Sequence, residues 1–163
     1  MNLNNVNLED LLLTALKSEI DSKELYIKLI DRTQNGLLQD KFKFLAAEEE
    51  KHKLFVEEIY KNHYPDNEIK IPDESPVPLP EIRITDETSL STLVKQAMEA
   101  ERQASEFYKL LSERFEKGSK IHNTLNYFSD MEIGHFKILE MEKQSMERFE
   151  DADVYWPMVH AGP

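Results

Sequence analysis

Two stretches, Phe42-Lys43-Phe44-Leu45-Ala46-Ala47-Glu48-Glu49-Glu50-Lys51-His52 and Leu125-Asn126-Tyr127-Phe128-Ser129-Asp130-Met131-Glu132-Ile133-Gly134-His135, follow nearly the same pattern. In each, apolar residues recur every three or four positions, the period of one face of an α-helix. A glutamate then takes the place of the next apolar residue, and a histidine follows three positions later. Side chains three apart on a helix are neighbours on one face. Each stretch therefore predicts a helix that turns a carboxylate and an imidazole toward its own apolar side.

The same stripe continues through the rest of the chain. The first helix reads Leu8, Leu12, Ala15, Glu19, Ser22, Tyr26, Leu29, and the second Leu38, Phe42, Leu45, Glu49, His52, Val56, Ile59. The third reads Leu90, Val94, Ala97, Glu101, Ala104, Tyr108, Leu111, Phe115, and the fourth Ile121, Leu125, Phe128, Glu132, His135, Leu139. At an offset of 82 residues, Ala15, Glu19, Glu24, Tyr26 and Leu29 fall on Ala97, Glu101, Glu106, Tyr108 and Leu111. At an offset of 83, Glu49 and His52 fall on Glu132 and His135, with Phe44-Leu45 opposite Tyr127-Phe128. The second half repeats the first, best of all at its polar intruders.

Between the halves, five of the seven prolines (Pro65, Pro72, Pro76, Pro78, Pro80) mark a linker over about 63–88. Each half breaks once at a glycine, Asn35-Gly36 or Gly118-Ser119, giving helix hairpins over about 7–62 and 89–148 and a tail over 149–163. Asn7 is the expected cap of the first helix and Thr88 or Ser89 that of the third. In an antiparallel pair two residues share a height when the turn lies at their sequence midpoint. Position 34 is midway between Glu19 and Glu49, and the midpoint of Glu101 and Glu132 lies between 116 and 117; both fall at the predicted turns. About 26 linker residues at ~3.1 Å each are enough to run the length of a bundle. The expected fold is all-α: one antiparallel four-helix bundle with a long crossover between helices 2 and 3, spanning residues 1–163 as a single domain. A pseudo-twofold axis then brings all four glutamates and both histidines into one central layer.

With 163 residues, 40% of them hydrophobic, the chain supports one core. Thirty-two acidic residues against 20 basic give a net charge of −12, which repels phosphate backbones and anionic membranes, so neither nucleic acid nor a membrane is an expected partner. No apolar run is long enough for a bilayer span and the N-terminus lacks the basic start of a signal peptide, so a cytoplasmic location is expected. The absence of cysteine excludes thiolate nucleophiles and Cys-ligated metals. Any metal must sit on His and carboxylates.

Four carboxylates in an apolar layer cost several kcal/mol per ion (roughly, in real proteins) unless compensated. No Lys or Arg lies on the stripes, so the counter-charge is protons or bound cations. Two divalent ions balance four glutamates. One Glu on each of two helices, with Glu-x-x-His on each of the other two, is the donor set of dinuclear iron or manganese carboxylate bundles. Glu48 could reach His52 at i, i+4, but Met131 stands at its equivalent, so the repeat selects Glu49. The expected ligands are Glu19, Glu49, His52, Glu101, Glu132 and His135.

On these residues, and on Tyr26 and Tyr108 at matching positions, the sequence resembles the ferritin-like di-iron carboxylate proteins and, among them, the rubrerythrin-like group, over roughly 7–148. The resemblance implies two iron ions bridged by carboxylates, with manganese as the alternative metal, that react with hydrogen peroxide or dioxygen. Two departures stand out. A rubredoxin-type iron centre needs cysteines that this chain lacks, and the additional helix-3 glutamate expected three residues from Glu101 is replaced by Met98 and Ala104. Glu99 points about 160° away around the helix.

Further expectations attach to single residues. Tyr26 and Tyr108 lie two turns, ~10.5 Å, from the Glu of their own helix, so each would support a carboxylate across the bundle. Ser22 and Ala104, one turn beyond Glu19 and Glu101, are small enough either to leave space for an oxidant or to let the helices pack closely. His63, His122 and His160 have no matched partner and no assigned role. The Tyr155-Trp156-Pro157-Met158 tail is expected to pack on the bundle or on a second subunit, with a homodimer as the expected assembly. The functional expectation is a peroxide-reducing oxidoreductase of oxidative-stress defence, fed by an external, rubredoxin-like electron donor. The alternatives are a ferroxidase or iron-handling protein of ferritin type, and a metal-free acidic structural bundle.

Overall fold

A computed structural model of the protein describes residues 3, 5–73, 75–80, 82–85 and 87–155, with side chains as far as 148. Four helices follow one another: α1 Leu8–Asp31, α2 Gly36–His63, α3 Leu90–Ser112 and α4 Lys120–Tyr155. The described residues contain no strand.

Local chemistry starts each helix. The Asn7 side chain accepts from the Asp10 amide at 2.8 Å, with Glu9 and Asp10 in the favourable first turn. Asn35 accepts from the Leu37 and Leu38 amides, and Ser89, of the two expected candidates, caps α3 through the Thr92 amide at 3.1 Å. Such caps contribute about 1 kcal/mol each. The two glycine turns differ. Gly118 takes a left-handed φ of 84°, a conformation that side chains resist, whereas Gly36 is the first residue of α2 and Asn35 does the turning. The fourth helix continues past the expected end at 148 to Tyr155, and the expected tail residues Trp156, Pro157, Met158 and His160 lie outside the described residues.

Cross-helix contacts fix the topology. Tyr26 of α1 meets Glu101 of α3 and Glu19 meets Tyr108, so advancing along α1 means retreating along α3. Lys41 meets Glu142 and Phe55 meets Phe128, which makes α2 and α4 antiparallel as well. Each hairpin packs closely on itself, α1 adjoins α3, and α2 and α4 stand furthest apart of the neighbouring pairs. This is the antiparallel four-helix bundle with a long crossover.

The crossover is a fitted strap rather than a slack tether. Asn67 donates to Glu9 at 2.8 Å near the start of α1, Ser75 reaches Thr14 at 3.2 Å, and Arg32 at the far end donates to the carbonyls of Thr85 and Thr88. Arg83 and Gln96 exchange two hydrogen bonds that fasten it to α3, and Val77 is buried in the core.

The core has two apolar parts. One gathers Leu12, Leu16, Val56, Ile59, Leu111 and Leu125, and the other Leu25, Leu29, Leu38, Phe42, Leu45 and Leu93. Between them the stripes carry Glu19, Glu49, His52, Glu101, Glu132 and His135, all buried. Leu8, Leu90 and Ile121 are only partly buried, and Ala104, expected on the inner stripe, is half-buried while Ser105 beside it is buried.

Candidate metal centre

Each helix contributes to the polar layer through one turn of its inner face: Glu19 from α1, Glu49 and His52 from α2, Glu101 from α3, and Glu132 and His135 from α4. Their donor atoms form two overlapping groups. Glu19, Glu49, His52 and Glu132 converge within 4.8 Å of one another, as do Glu49, Glu101, Glu132 and His135. Glu49 and Glu132 belong to both. The helix-borne Glu-x-x-His motifs thus place their carboxylates between two positions, and Glu19 and Glu101 close the outer ends.

Both imidazoles present Nδ1 to the carboxylates. His52 Nδ1 lies 2.8 Å from Glu132, 3.6 Å from Glu19 and 3.7 Å from Glu49. His135 Nδ1 lies 3.0 Å from Glu132, 3.3 Å from Glu49 and 3.5 Å from Glu101. Burial lowers the affinity of both rings for a proton, but the carboxylates outweigh it and push each imidazole up to about 12. Burial, followed by the charge of Glu49, holds the Glu19 carboxyl well above its ordinary value, and burial with the charge of Glu101 raises Glu132.

Protons answer the charge but not the geometry. Glu19 Oε2, Glu49 Oε1, Glu132 Oε1 and both ring nitrogens of His52 are buried without a hydrogen-bond partner, since the 2.8 Å approach of His52 to Glu132 lacks hydrogen-bond alignment. A doubly protonated His52 would bury two unsatisfied N–H donors, each costing about 1–3 kcal/mol. Two imidazolium ions with two protonated carboxyls balance the layer in charge, as two divalent cations with neutral imidazoles do, but only the cations would also give the orphaned oxygens and ring nitrogen a partner. Among the described residues no Lys or Arg is buried in the layer. Lone pairs converging from oxygen and imidazole nitrogen suit a divalent transition metal.

The two tyrosines hold the outer carboxylates reciprocally. Tyr26 donates to Glu101, and Tyr108 donates to Glu19 at 2.5 Å, each from across the bundle. Burial and the charge of the accepting carboxylate hold both phenols well above their ordinary value, so they remain donors at neutral pH. His63 bonds the Ile59 carbonyl and His122 lies at the α4 start, both outside the layer.

The surroundings are less symmetric. The His52 ring lies against Phe128, centroids 4.1 Å apart, with Tyr108 at 6.0 Å, whereas His135 has Phe44 edge-on at 6.5 Å. Leu79, Pro80 and Ile82 of the strap sit over Ser22 and Ala100 and leave a void of only about 10 Å³. Ser22 therefore lies beneath the strap, and Ala104 does not line that void, so the two positions do not form one pocket. A cleft of about 580 Å³ runs between α1 and the strap and is lined by none of the six polar-layer residues. Sequence reasoning missed two features: the buried Ser105–Ser129 pair that joins α3 to α4, and the burial of Glu48, whose Oε1 accepts from Lys51 at 2.5 Å. A serine pair has no sequence signature distinct from ordinary helix packing.

Fold and donor set together define a four-helix carboxylate bundle with a paired Glu/His centre. Comparison with known sequences makes this specific: the rubrerythrin family matches residues 10–143, and the chain belongs to that family. No curated protein matches the sequence. Among solved structures, a hypothetical protein from Pyrococcus furiosus is 31% identical, with a TM-score of 0.78 over 91% of this chain and 95% of that one. Among the described residues no helix is long and apolar enough to cross a membrane.

Proposed function

We propose that this chain is a di-iron oxidoreductase that reduces hydrogen peroxide to water, with electrons from a separate donor protein. The observation that carries the reading is the pair of overlapping donor groups sharing Glu49 and Glu132, in a layer where Glu19 Oε2, Glu49 Oε1, Glu132 Oε1 and both His52 ring nitrogens are buried without a hydrogen-bond partner. Glu19 and His52 would hold one iron and Glu101 and His135 the other, with Glu49 and Glu132 available to both. Bound as a ferrous pair, iron supplies the two electrons that cleavage of the O–O bond requires.

The protein's own groups set the conditions. Tyr26 and Tyr108 donate to one oxygen each of Glu101 and Glu19, which orients the terminal carboxylates and spreads their charge. Because both phenols resist ionisation, those donors persist through the neutral range. Phe128 and Tyr108 exclude water on the His52 side. Reduction of H2O2 takes two protons and two electrons to give two waters, and this chain contains no cysteine with which to hold a second, rubredoxin-type centre. Electrons for a second turnover therefore come from outside the chain.

The test is an anaerobic titration of the iron-loaded, reduced protein with peroxide. About one peroxide should be consumed per iron pair before reaction stops, and a rubredoxin-type donor with its reductase should restore turnover. Sustained NAD(P)H-dependent reduction by this chain alone would refute the need for a donor. Rapid dioxygen consumption with ferric mineral accumulating in an oligomer would favour the ferroxidase reading, and failure to bind metal would leave the acidic bundle.

A further inference from the structure

The pseudo-twofold axis that exchanges the hairpins leaves the bundle through two seams, α1/α3 on one side and α2/α4 on the other. The chain closes only the first. There, helices lie closer, the crossover strap covers the groove with Leu79, Pro80 and Ile82, and the residual void of about 10 Å³ is at the limit for one water molecule. The Tyr26–Glu101 and Tyr108–Glu19 hydrogen bonds span the same helix pair. At that point the void is too small for a hydrated divalent cation.

The second seam is pinned at its ends and loose between them. Lys41 pairs with Glu142 at one end and Phe55 packs on Phe128, centroids 5.2 Å apart, at the other. Positions 41, 44, 48, 51 and 55 recur at three- and four-residue spacing, so Phe44 and Glu48 share the face that meets α4. Phe44 is 51% exposed although its ring edge rests against His135, which makes it a thin cover over a ligand of the centre. Gly134, next to His135, has no atom within 4 Å of the place a Cβ would occupy. Glu48 is buried to 8% exposure, one residue before Glu49, whose Oε1 has no partner. It pairs with Lys51, whose side chain is 65% exposed.

We propose that divalent cations reach the centre through the α2/α4 seam, between Phe44 and Glu48, and arrive on the His135 side. The proposal rests on the reading of the centre as a metal site. Glu48 is a positioning carboxylate: it exchanges Lys51 for the incoming cation, replaces part of its water shell, and passes it to Glu49 and His135. Phe44 is the ring that must move aside. A carboxylate half-way along a low-dielectric path raises the local cation concentration, and its effect weakens as salt rises.

Cobalt(II) loading of the full chain, after metal is stripped by a chelator, tests this by the growth of ligand-field absorption in a stopped-flow instrument. Glu48→Gln should load roughly three- to tenfold more slowly at low salt yet still bind two cobalt ions. Phe44→Ala should load faster and Phe44→Trp more slowly, again with two ions bound, while Ile82→Ala on the opposite seam leaves the rate unchanged. Wild-type rates in Glu48→Gln and both Phe44 variants, or acceleration by Ile82→Ala, would overturn the route while leaving the centre intact. A wild-type chain that takes up no cobalt would remove the centre and the route together.

Discussion

The two hairpins carry the same site residues at equivalent positions, yet the seams between them are unlike. Where α1 meets α3, a strap of about 26 residues covers a groove of small side chains, and two tyrosines cross it to hold carboxylates. Where α2 meets α4, an ion pair and an aromatic pair hold the ends, and a half-exposed phenylalanine stands over His135. Repetition explains the paired Glu/His set, because any residue on one hairpin's inner face has its counterpart across the axis. It does not explain access. A single chain joins its two hairpins once, so the connection must cover one side and breaks the symmetry it spans.

The sharpest way to break the equivalence of the hairpins is to remove ligands singly and count metal. Glu132→Ala should lose both ions, since that carboxylate belongs to both donor groups, whereas Glu19→Ala should lose one and Glu48→Ala none. At free metal about 1,000-fold above Kd, loss of binding forfeits about 4 kcal/mol, or a fall in Tm of about 10 °C for a chain of this size. Elemental analysis with calorimetry reads both quantities. Equal metal content in Glu132→Ala and Glu48→Ala would sink the register of the site.

Acidity gives the next largest effect, with a sign that depends on metal. In the chelated protein, His52 and His135 have affinities raised to about 12, and that contribution is complete below the unfolded value near 6.5 and lost as pH climbs toward 12. Glu19 and Glu132 are also raised, so their favourable contribution is complete below 4.5 and declines as pH rises through the folded values. Both trends lower the melting temperature of the chelated chain between pH 5 and pH 9. Metal binding displaces those protons, so its stabilisation grows over the same interval. Parallel melting curves with and without metal across that range would contradict the compensation argument.

The smallest effect separates two positions that the repeat makes equal. Ser22→Leu must overfill the void under the strap, at a cost of about 1–3 kcal/mol, while Ala104→Leu at a half-buried site should cost less than about 1 kcal/mol. Chemical denaturation of the metal-loaded variants measures the difference. Equal costs would mean that the strap does not press on Ser22.

The four helices, their turns, the crossover and the six residues of the polar layer were legible in the sequence, because helical period and equal rise per residue are local rules; the stripes erred at Ala104, where Ser105 is the buried neighbour, and at the partly buried Leu8, Leu90 and Ile121. Glu49 was separable from Glu48 by the repeat alone. Tertiary structure decided the rest. That Glu49 and Glu132 belong to both donor groups depends on how far apart four helices stand, and no spacing along one chain encodes that distance. The burial of Glu48, the strap's contact with Ser22 rather than Ala104, and the thin cover of Phe44 on His135 likewise arise between elements remote in sequence. The sequence by itself determined which side chains face inward, through periodicity; only packing in three dimensions decided which of them share a position and which seam was left open, because a repeated sequence is symmetric and the chain that connects its repeats is not.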